Sequence, residues 1–218
     1  EGFPGFGLVG SITTEFLIEH LKMRPIGSIF NHKLPAMSAI HNGNLVRPIG
    51  LFYDEKHNII VVHIITNAQG LEWEIGDDIL QMAQDLDAHQ LITVEGVADP
   101  QEKEHEPQVM YWTNDSNQCP SDITPLKEGI VMGVTSALML KCHERHLTSL
   151  FALTHSQLPD SKAAAQIIKV LDKLLDLDVD YHPLLEAAKQ FESKIKGIMS
   201  QSTHALNEQQ KKTISYVG

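Results

Sequence analysis

Cysteine is scarce in this sequence, and long apolar runs are missing. Cys119 and Cys142 are the only cysteines among 218 residues, too few for a disulfide framework, and such usage is typical of a reducing compartment. No apolar stretch approaches the ~20 residues that are needed to cross a bilayer. Residue 1 is a Glu, so the sequence by itself neither indicates nor excludes a signal peptide. We therefore expect a cytoplasmic protein that does not interact with a membrane.

Basic residues are also few. The sequence has 17 Lys and Arg against 28 Asp and Glu, a formal net charge of −11. No run of Lys and Arg forms the kind of patch that nucleic-acid-binding proteins use. The charge therefore argues against a nucleic-acid partner and favours a basic or apolar one. Apolar residues make up 42% of the chain, which is ordinary for a globular domain with a sizeable core.

Hydrophobic periodicity predicts alternating helices and strands. Helical spacing predicts helices over 9–22, 71–87 and 135–146, a fourth that Asp160 or Ser161 caps, and a fifth that starts after Pro183. Apolar and β-branched runs predict strands over 25–30, 49–53, 59–66, 90–97, 109–113, 129–133 and 149–154. The dipeptide Asn42-Gly43 predicts a hairpin turn. This order predicts a three-layer α/β/α sandwich with a mixed sheet.

The last predicted helix carries a regular apolar stripe. Its members alternate four and three residues apart, the spacing of a coiled-coil seam; they are Leu184, Ala188, Phe191, Ile195 and Ile198. Two interpretations stay open: a helix packed on its own domain, or a seam between subunits. We accordingly divide the chain into a sandwich domain over 1–182 and a C-terminal helix and tail over 183–218.

The glycine-rich opening matches a dinucleotide-binding fingerprint in form. Gly5, Gly7 and Gly10 have the G-x-G-x-x-G spacing, which elsewhere allows a tight turn, close approach of pyrophosphate and helix–sheet packing. The fingerprint also needs a carboxylate about 20 residues later, but none occurs between Glu19 and Asp54. We therefore favour a structural strand–turn–helix and expect no bound nucleotide cofactor.

Two further groups could carry chemistry. Cys142, His143 and His146 have metal-ligand character at helical spacing, yet a zinc site needs a fourth ligand, and histidines facing a helix C-terminus are the alternative. Ser136, His155 and Asp160 contain the residue types of a hydrolase triad, without a Gly-x-Ser-x-Gly elbow. We expect no metal site and no catalytic centre from these residues.

Three segments of the chain carry distinctive motifs. The first is Gly2-Phe3-Pro4-Gly5-Phe6-Gly7-Leu8-Val9-Gly10. The second is 150–155, Leu-Phe-Ala-Leu-Thr-His, followed by Leu-Pro-Asp at 158–160 and three alanines at 163–165. The third is 181–188, Tyr-His-Pro-Leu-Leu-Glu-Ala-Ala. Together these motifs resemble the proteasome assembly chaperone family of archaea and bacteria, and the resemblance extends over nearly the whole chain.

The resemblance implies a fold similar to purine nucleoside phosphorylases, a homo-oligomer, and a non-enzymatic role in binding the proteasome core particle or its α-subunits. Some family members insert a C-terminal hydrophobic–tyrosine–any-residue tail between α-subunits. Here Ile214, Tyr216 and Val217 are the corresponding candidates, although Tyr216 lies one place too early and Ser215 stands where the hydrophobic residue belongs. The alternatives are a nucleoside-type binding protein or enzyme on this fold, and a purely structural oligomer.

Overall fold

The computed structural model describes residues 1–41, 43–98, 107–115, 120, 122–154 and 158–186, together with positions 190, 194, 197 and 200. Within these ranges, a short 3-10 turn at Phe6–Leu8 is followed by five helices: α1 Val9–His20, α2 Glu72–Asp85, α3 Gly133–Lys141, α4 Ser161–Leu175 and α5 His182–Glu186. The strands are β1 Arg24–Ser28, β2 Ala39–His41, β3 Asn44–Val46, β4 Ile49–Asp54, β5 Ile59–Ile64, β6 Gln90–Ala98, β7 Val109–Thr113, β8 Thr124–Pro125 and β9 His146–Thr154.

The first residues of the chain join two groups of strands. One group has the order β1-β4-β5 and is antiparallel; the other has the order β6-β9-β7-β8 and combines parallel and antiparallel pairs. Gly2 lies between them and forms parallel bridges with His63 of β5 and Val94 of β6. The prediction of a mixed sheet is confirmed.

Two core clusters account for most of the buried apolar side chains. In one, α1 and α4 pack with Ile92 and Val94 of β6; in the other, α2 and α3 pack with Leu91 of the same strand. Successive side chains of a strand point to opposite faces, so Leu91 packs in one cluster while Ile92 and Val94 pack in the other. The predicted amphipathic stripes of 71–87 and of α4 supply the helix sides of these clusters.

The hairpin between β1 and β4 has the predicted turn. Ala39 pairs with Val46 and Ile40 with Leu45, which leaves a two-residue loop. Gly43 has φ of 75°, the left-handed conformation that favours glycine in such loops, and Asn42 lies outside the described residues. The small β2–β3 sheet is therefore an excursion from the end of β1.

The boundary between α3 and β9 differs from the prediction. Residues 129–133 are not a strand, α3 ends at Lys141, and β9 begins at His146 rather than at 149. The side-chain amide of Asn114 donates to the carbonyls of Cys142 and Arg145, at 2.8 Å each, and its oxygen accepts from the Leu147 N–H at 2.9 Å. These bonds satisfy backbone groups that a longer helix would have used.

Candidate functional site

The opening motif forms a tight turn between the sheet and α1. Gly7 and Leu8 both have positive φ, 63° and 49°, and the Leu8 N–H donates to the Gly5 carbonyl at 3.1 Å. Only glycine adopts this conformation without steric cost, so position 7 needs its Gly, whereas Leu8 carries local strain. The turn reverses the chain and starts α1 directly against the sheet.

The glycines of the motif allow backbones to approach each other. A Cβ atom on Gly2 would lie 2.4 Å from the Gly10 carbonyl oxygen, and one on Gly10 would lie 2.7 Å from the Val94 oxygen. The Glu95 carboxylate is next to Gly5, and the Cβ of Asp160 is next to Gly7. A loop packed against protein backbone and flanked by two acidic side chains is poorly suited to a phosphate. The structure therefore supports the strand–turn–helix interpretation of the motif.

The second family motif meets the first at Asp160. Its N–H donates to the Gly7 carbonyl at 2.8 Å, and its Oδ2 accepts from the Thr154 hydroxyl at 2.7 Å. The other oxygen, Oδ1, caps α4 by accepting from the Ala163 N–H at 2.9 Å. One residue thus connects the end of β9, the start of α4 and the opening turn.

Replacing Asp160 by Ala should destabilise this junction. The variant loses the cap of α4 and the acceptor of the Thr154 hydroxyl, so we expect the free energy of unfolding to fall by about 2 kcal/mol. Asp160→Asn keeps an oxygen in place and should lose less than half as much. Urea denaturation followed by circular dichroism measures both, and equal stability of Asp160→Ala and the wild type would contradict this role.

Two buried carboxylates lie behind the turn. Burial, together with the nearby charge of Glu1, raises the pKa of Glu95 to about 7, and burial raises the pKa of Glu1 to about 7 as well. The Thr135 hydroxyl lies 3.4 Å from a Glu1 oxygen, and one oxygen of each carboxylate has no hydrogen-bond partner among the described residues. The adjoining cavity, which Glu95 lines with Phe3 and Thr135, has a volume of about 80 Å³. Small-molecule sites usually exceed about 300 Å³, so this cavity is too small for a nucleoside.

The structure places the other sequence-predicted residues on separate elements where it describes them. Asp160 is engaged at the junction, Ser136 is a half-buried residue of α3, and His155 is outside the described residues. Because α3 ends at Lys141, Cys142 and His146 do not share a helical face, and the Cys142 thiol contacts the Arg145 carbonyl at 3.5 Å. Within the described ranges no group of three or more His, Cys, Asp or Glu side chains could hold a metal ion.

The start of the last helix contacts its own domain. Leu184 is fully buried in the core cluster of α1 and α4, and Lys194 contacts Glu15 and Glu19 of α1. A Glu15 oxygen lies 3.2 Å from His63 Nε2, and burial lowers the pKa of that imidazole. Ala188, Phe191, Ile195 and Ile198 lie outside the described residues, as do Ile214, Tyr216 and Val217 of the tail. The intersubunit seam and the docking tail therefore remain predictions.

Exposed apolar side chains gather at one edge of the sheet. The parallel strands β5, β6 and β9 all end at this edge, the opening turn lies there, and β1 ends and β4 begins there. Half of the twelve large apolar side chains that are exposed in the described chain belong to the connections at this edge, two of them on the small β2–β3 sheet and four in loops; they are Phe30, Ile40, Leu45, Ile130, Met132 and Leu158. We call these six residues the apolar rim. Grouped exposed apolar side chains are typical of protein-binding surfaces, and this grouping could not be deduced from sequence because exposure depends on the tertiary fold.

Fold and surface together define a mixed α/β domain with a close-packed glycine turn and an apolar rim at one edge of its sheet. The chain belongs to the PAC2 family, whose model matches residues 1–199. Where the structure describes the chain, no helix is long and apolar enough to cross a membrane.

Solved structures of archaeal proteins have the same fold. Pyrococcus furiosus PbaA, an archaeal homolog of proteasome-assembly chaperone, is 27% identical, with 94% of this chain and 92% of PbaA covered at a TM-score of 0.82. PbaB of the same organism, an archaeal proteasome activator, is 23% identical, with coverage of 90% and 91% and a TM-score of 0.71. An uncharacterized protein of Methanocaldococcus jannaschii is 23% identical over 224 residues, which cover 100% of this chain and 91% of that relative.

Proposed function

We propose that this protein binds the proteasome core particle or its α-subunits, as an assembly chaperone or adaptor, and that it does so without catalysing a reaction. The observation that carries the proposal is the PAC2 match over residues 1–199, together with 27% identity to PbaA over 94% of the chain. The apolar rim supports it, since an exposed apolar surface fits a protein partner.

The protein would act as a cytoplasmic homo-oligomer. We infer that residues 1–182 form a three-layer α/β/α sandwich of the nucleoside-phosphorylase type, with the two core clusters on opposite faces of the sheet. Residues 183–218 would form the helix and tail, with Leu184 and Lys194 attaching the start of that helix to its own domain. These two contacts would fix the start of the helix to the domain, and the residues after it would reach a partner.

The tail would contribute through several copies at once. A flexible peptide loses conformational entropy on binding and gives weak affinity alone, but several tails on one oligomer raise the effective concentration. Tyr216 is the side chain most suited to fill a pocket between subunits, because large aromatic residues dominate such contacts.

Co-sedimentation with the proteasome core particle of the same organism tests the proposal. The wild-type protein should sediment with the particle at micromolar concentration, and Tyr216→Ala should weaken association at least tenfold. Ser215→Ala is the matched control and should bind as the wild type does. Wild-type protein that stays in the supernatant would overturn the proposal, whereas equal binding by Tyr216→Ala would reject only the tail as the contact.

A further inference from the structure

His63 is a buried titratable residue that the opening turn and the apolar rim do not use. It lies on β5, opposite Gly50 of β4, and the centroid of its ring is 6.3 Å from that of Phe52. Its polar neighbours, Thr14 and Glu15, belong to α1. A buried titratable side chain with a specific charged neighbour is a candidate for a functional group.

The hydrogen bonds around His63 leave Nε2 of the neutral imidazole without a proton. The Thr14 hydroxyl donates to the Gly10 carbonyl at 2.9 Å, and a hydroxyl has one proton. With that donation, the hydroxyl oxygen accepts from His63 Nδ1, which is 2.8 Å away. Nε2 then faces Glu15 Oε2 at 3.2 Å and has no hydrogen-bond partner among the described residues. A proton that His63 takes up therefore binds Nε2, between the ring and the carboxylate.

Lys194 pairs with the same carboxylate through its other oxygen. Its ammonium contacts Glu15 Oε1 and also Glu19 of α1, and its side chain is only 17% exposed. Position 194 is helical, and these two ion pairs attach the chain beyond α5 to α1. Glu15 is thus shared between His63 and Lys194.

Glu15 and Lys194 are the charged groups that face His63 in the described part of the chain. Burial lowers the pKa of His63; the Glu15 carboxylate opposes this shift, and the Lys194 ammonium adds to it. The sheet side presents the Phe52 ring and glycine backbone, which carry no charge. Coupling between two binding events is reciprocal. Because attached Lys194 disfavours a proton on His63, that proton disfavours the attachment of Lys194 to the same degree.

We propose that His63 and Lys194 compete for the Glu15 carboxylate, so that protonation of His63 loosens the attachment of the C-terminal helix at Lys194. A proton from solvent binds Nε2, the new N–H donates to Glu15 Oε2, and the imidazolium repels the Lys194 ammonium. The protein with Lys194 released binds this proton more tightly, so acid favours release and a pH above the pKa of His63 favours attachment.

The release is local, and it concerns the segment that leads to the tail. Glu19 still offers Lys194 a carboxylate, and Leu184 of α5 remains in its core cluster. The inference deepens the proposed function and rests on it for its biological role, because the chain beyond Lys194 carries the tail that we propose contacts the core particle.

NMR titration of the His63 imidazole tests the competition, with His63→Gln identifying the signals by their loss. In Lys194→Met the proton affinity of His63 should be about threefold higher than in the wild type, because the repelling ammonium is gone. Lys194→Arg keeps the charge and should restore the wild-type value. Lys162→Met, at an exposed position of α4, is the matched control. Equal proton affinities in Lys194→Met and the wild type would overturn the inference, as would a His63 that does not titrate before the protein unfolds.

Hydrogen exchange at the Lys194 backbone amide tests the release. After correction for the intrinsic rate, its protection in the wild type should fall about threefold from about pH 7.5 to about one pH unit below the midpoint of the His63 titration. In His63→Gln it should stay constant, and the amide of the buried Leu171 in α4 is the internal reference. Protection that does not fall in the wild type, or that falls equally in His63→Gln, would contradict the competition.

Both measurements use the protein without the core particle, so their outcome is separate from that of co-sedimentation. A confirmed competition in a protein that does not sediment with the particle would reject the proposed function and leave this coupling standing.

Discussion

Among glycine-to-alanine substitutions in the opening motif and in the strand β6 beside it, Gly96→Ala is expected to destabilise the protein most. Its new Cβ would lie 2.0 Å from the Phe6 carbonyl oxygen and 2.8 Å from Val9 Cγ2. Both neighbours belong to the turn and the start of α1, which cannot shift without disturbing the packing of that helix against β6. We expect the free energy of unfolding to fall by about 3 kcal/mol. Urea denaturation followed by circular dichroism measures this loss.

Gly27→Ala provides the matched control for that substitution. It adds the same methyl group to a strand glycine, but on exposed β1, where the nearest atom is Leu51 Cδ1 at 3.8 Å. Its stability should stay within about 0.5 kcal/mol of the wild type, as for other exposed positions. Equal losses for the two variants would mean that close packing at position 96 is not the cause.

Glu95→Gln should make the protein more stable at alkaline pH. Burial and the charge of Glu1 raise the pKa of Glu95 to about 7, well above that of an unfolded Glu. Between about pH 5 and pH 7 the folded state therefore holds a proton that the unfolded state has lost, and stability falls as the pH rises. The uncharged amide of Gln removes this fall. At pH 8 we expect the variant to be more stable by about 3 kcal/mol at most.

The difference between variant and wild type should disappear near pH 5, where Glu95 is protonated in the folded protein. Unfolding curves at pH 5, 6, 7 and 8 test this directly. Glu128→Gln, at an exposed position, is the control and should follow the wild type. A Glu95→Gln protein that is less stable than the wild type at pH 8 would mean that the carboxylate is held by a cation or donor at that pH.

Local signals made much of the fold predictable. The stripe and cap of α4, the near-continuous β-branched run of β5, and the Asn-Gly hairpin are each specified by residues close in sequence. The end of α3 could not be predicted in this way. It depends on Asn114, which lies in a different strand connection and satisfies the carbonyls of Cys142 and Arg145.

The candidate site was predictable only in part. The motif glycines were identified from the sequence, and they lie in a tight turn before α1 as predicted. The contact between Gly7 and Asp160 was not predicted, because the two residues are far apart in sequence and meet only after β9 has joined the sheet. Nothing in the sequence around Glu95 indicated that this residue would have a raised pKa. Its raised pKa comes from burial and from Glu1, both of which require the folded chain.

The place of Gly2 between β5 and β6 has a consequence for how the chain folds. The bridges to His63 and Val94 connect the two strand groups. The segment around Gly2 therefore pairs with strands β5 and β6, which are synthesised more than 50 residues later in the chain. Such long-range pairing slows folding, because the entropy of closing a long loop is lost before the contacts form. We expect neither strand group to be stable as an isolated fragment. A chain cut between α2 and β6 should regain native hydrogen-exchange protection only when both pieces are present.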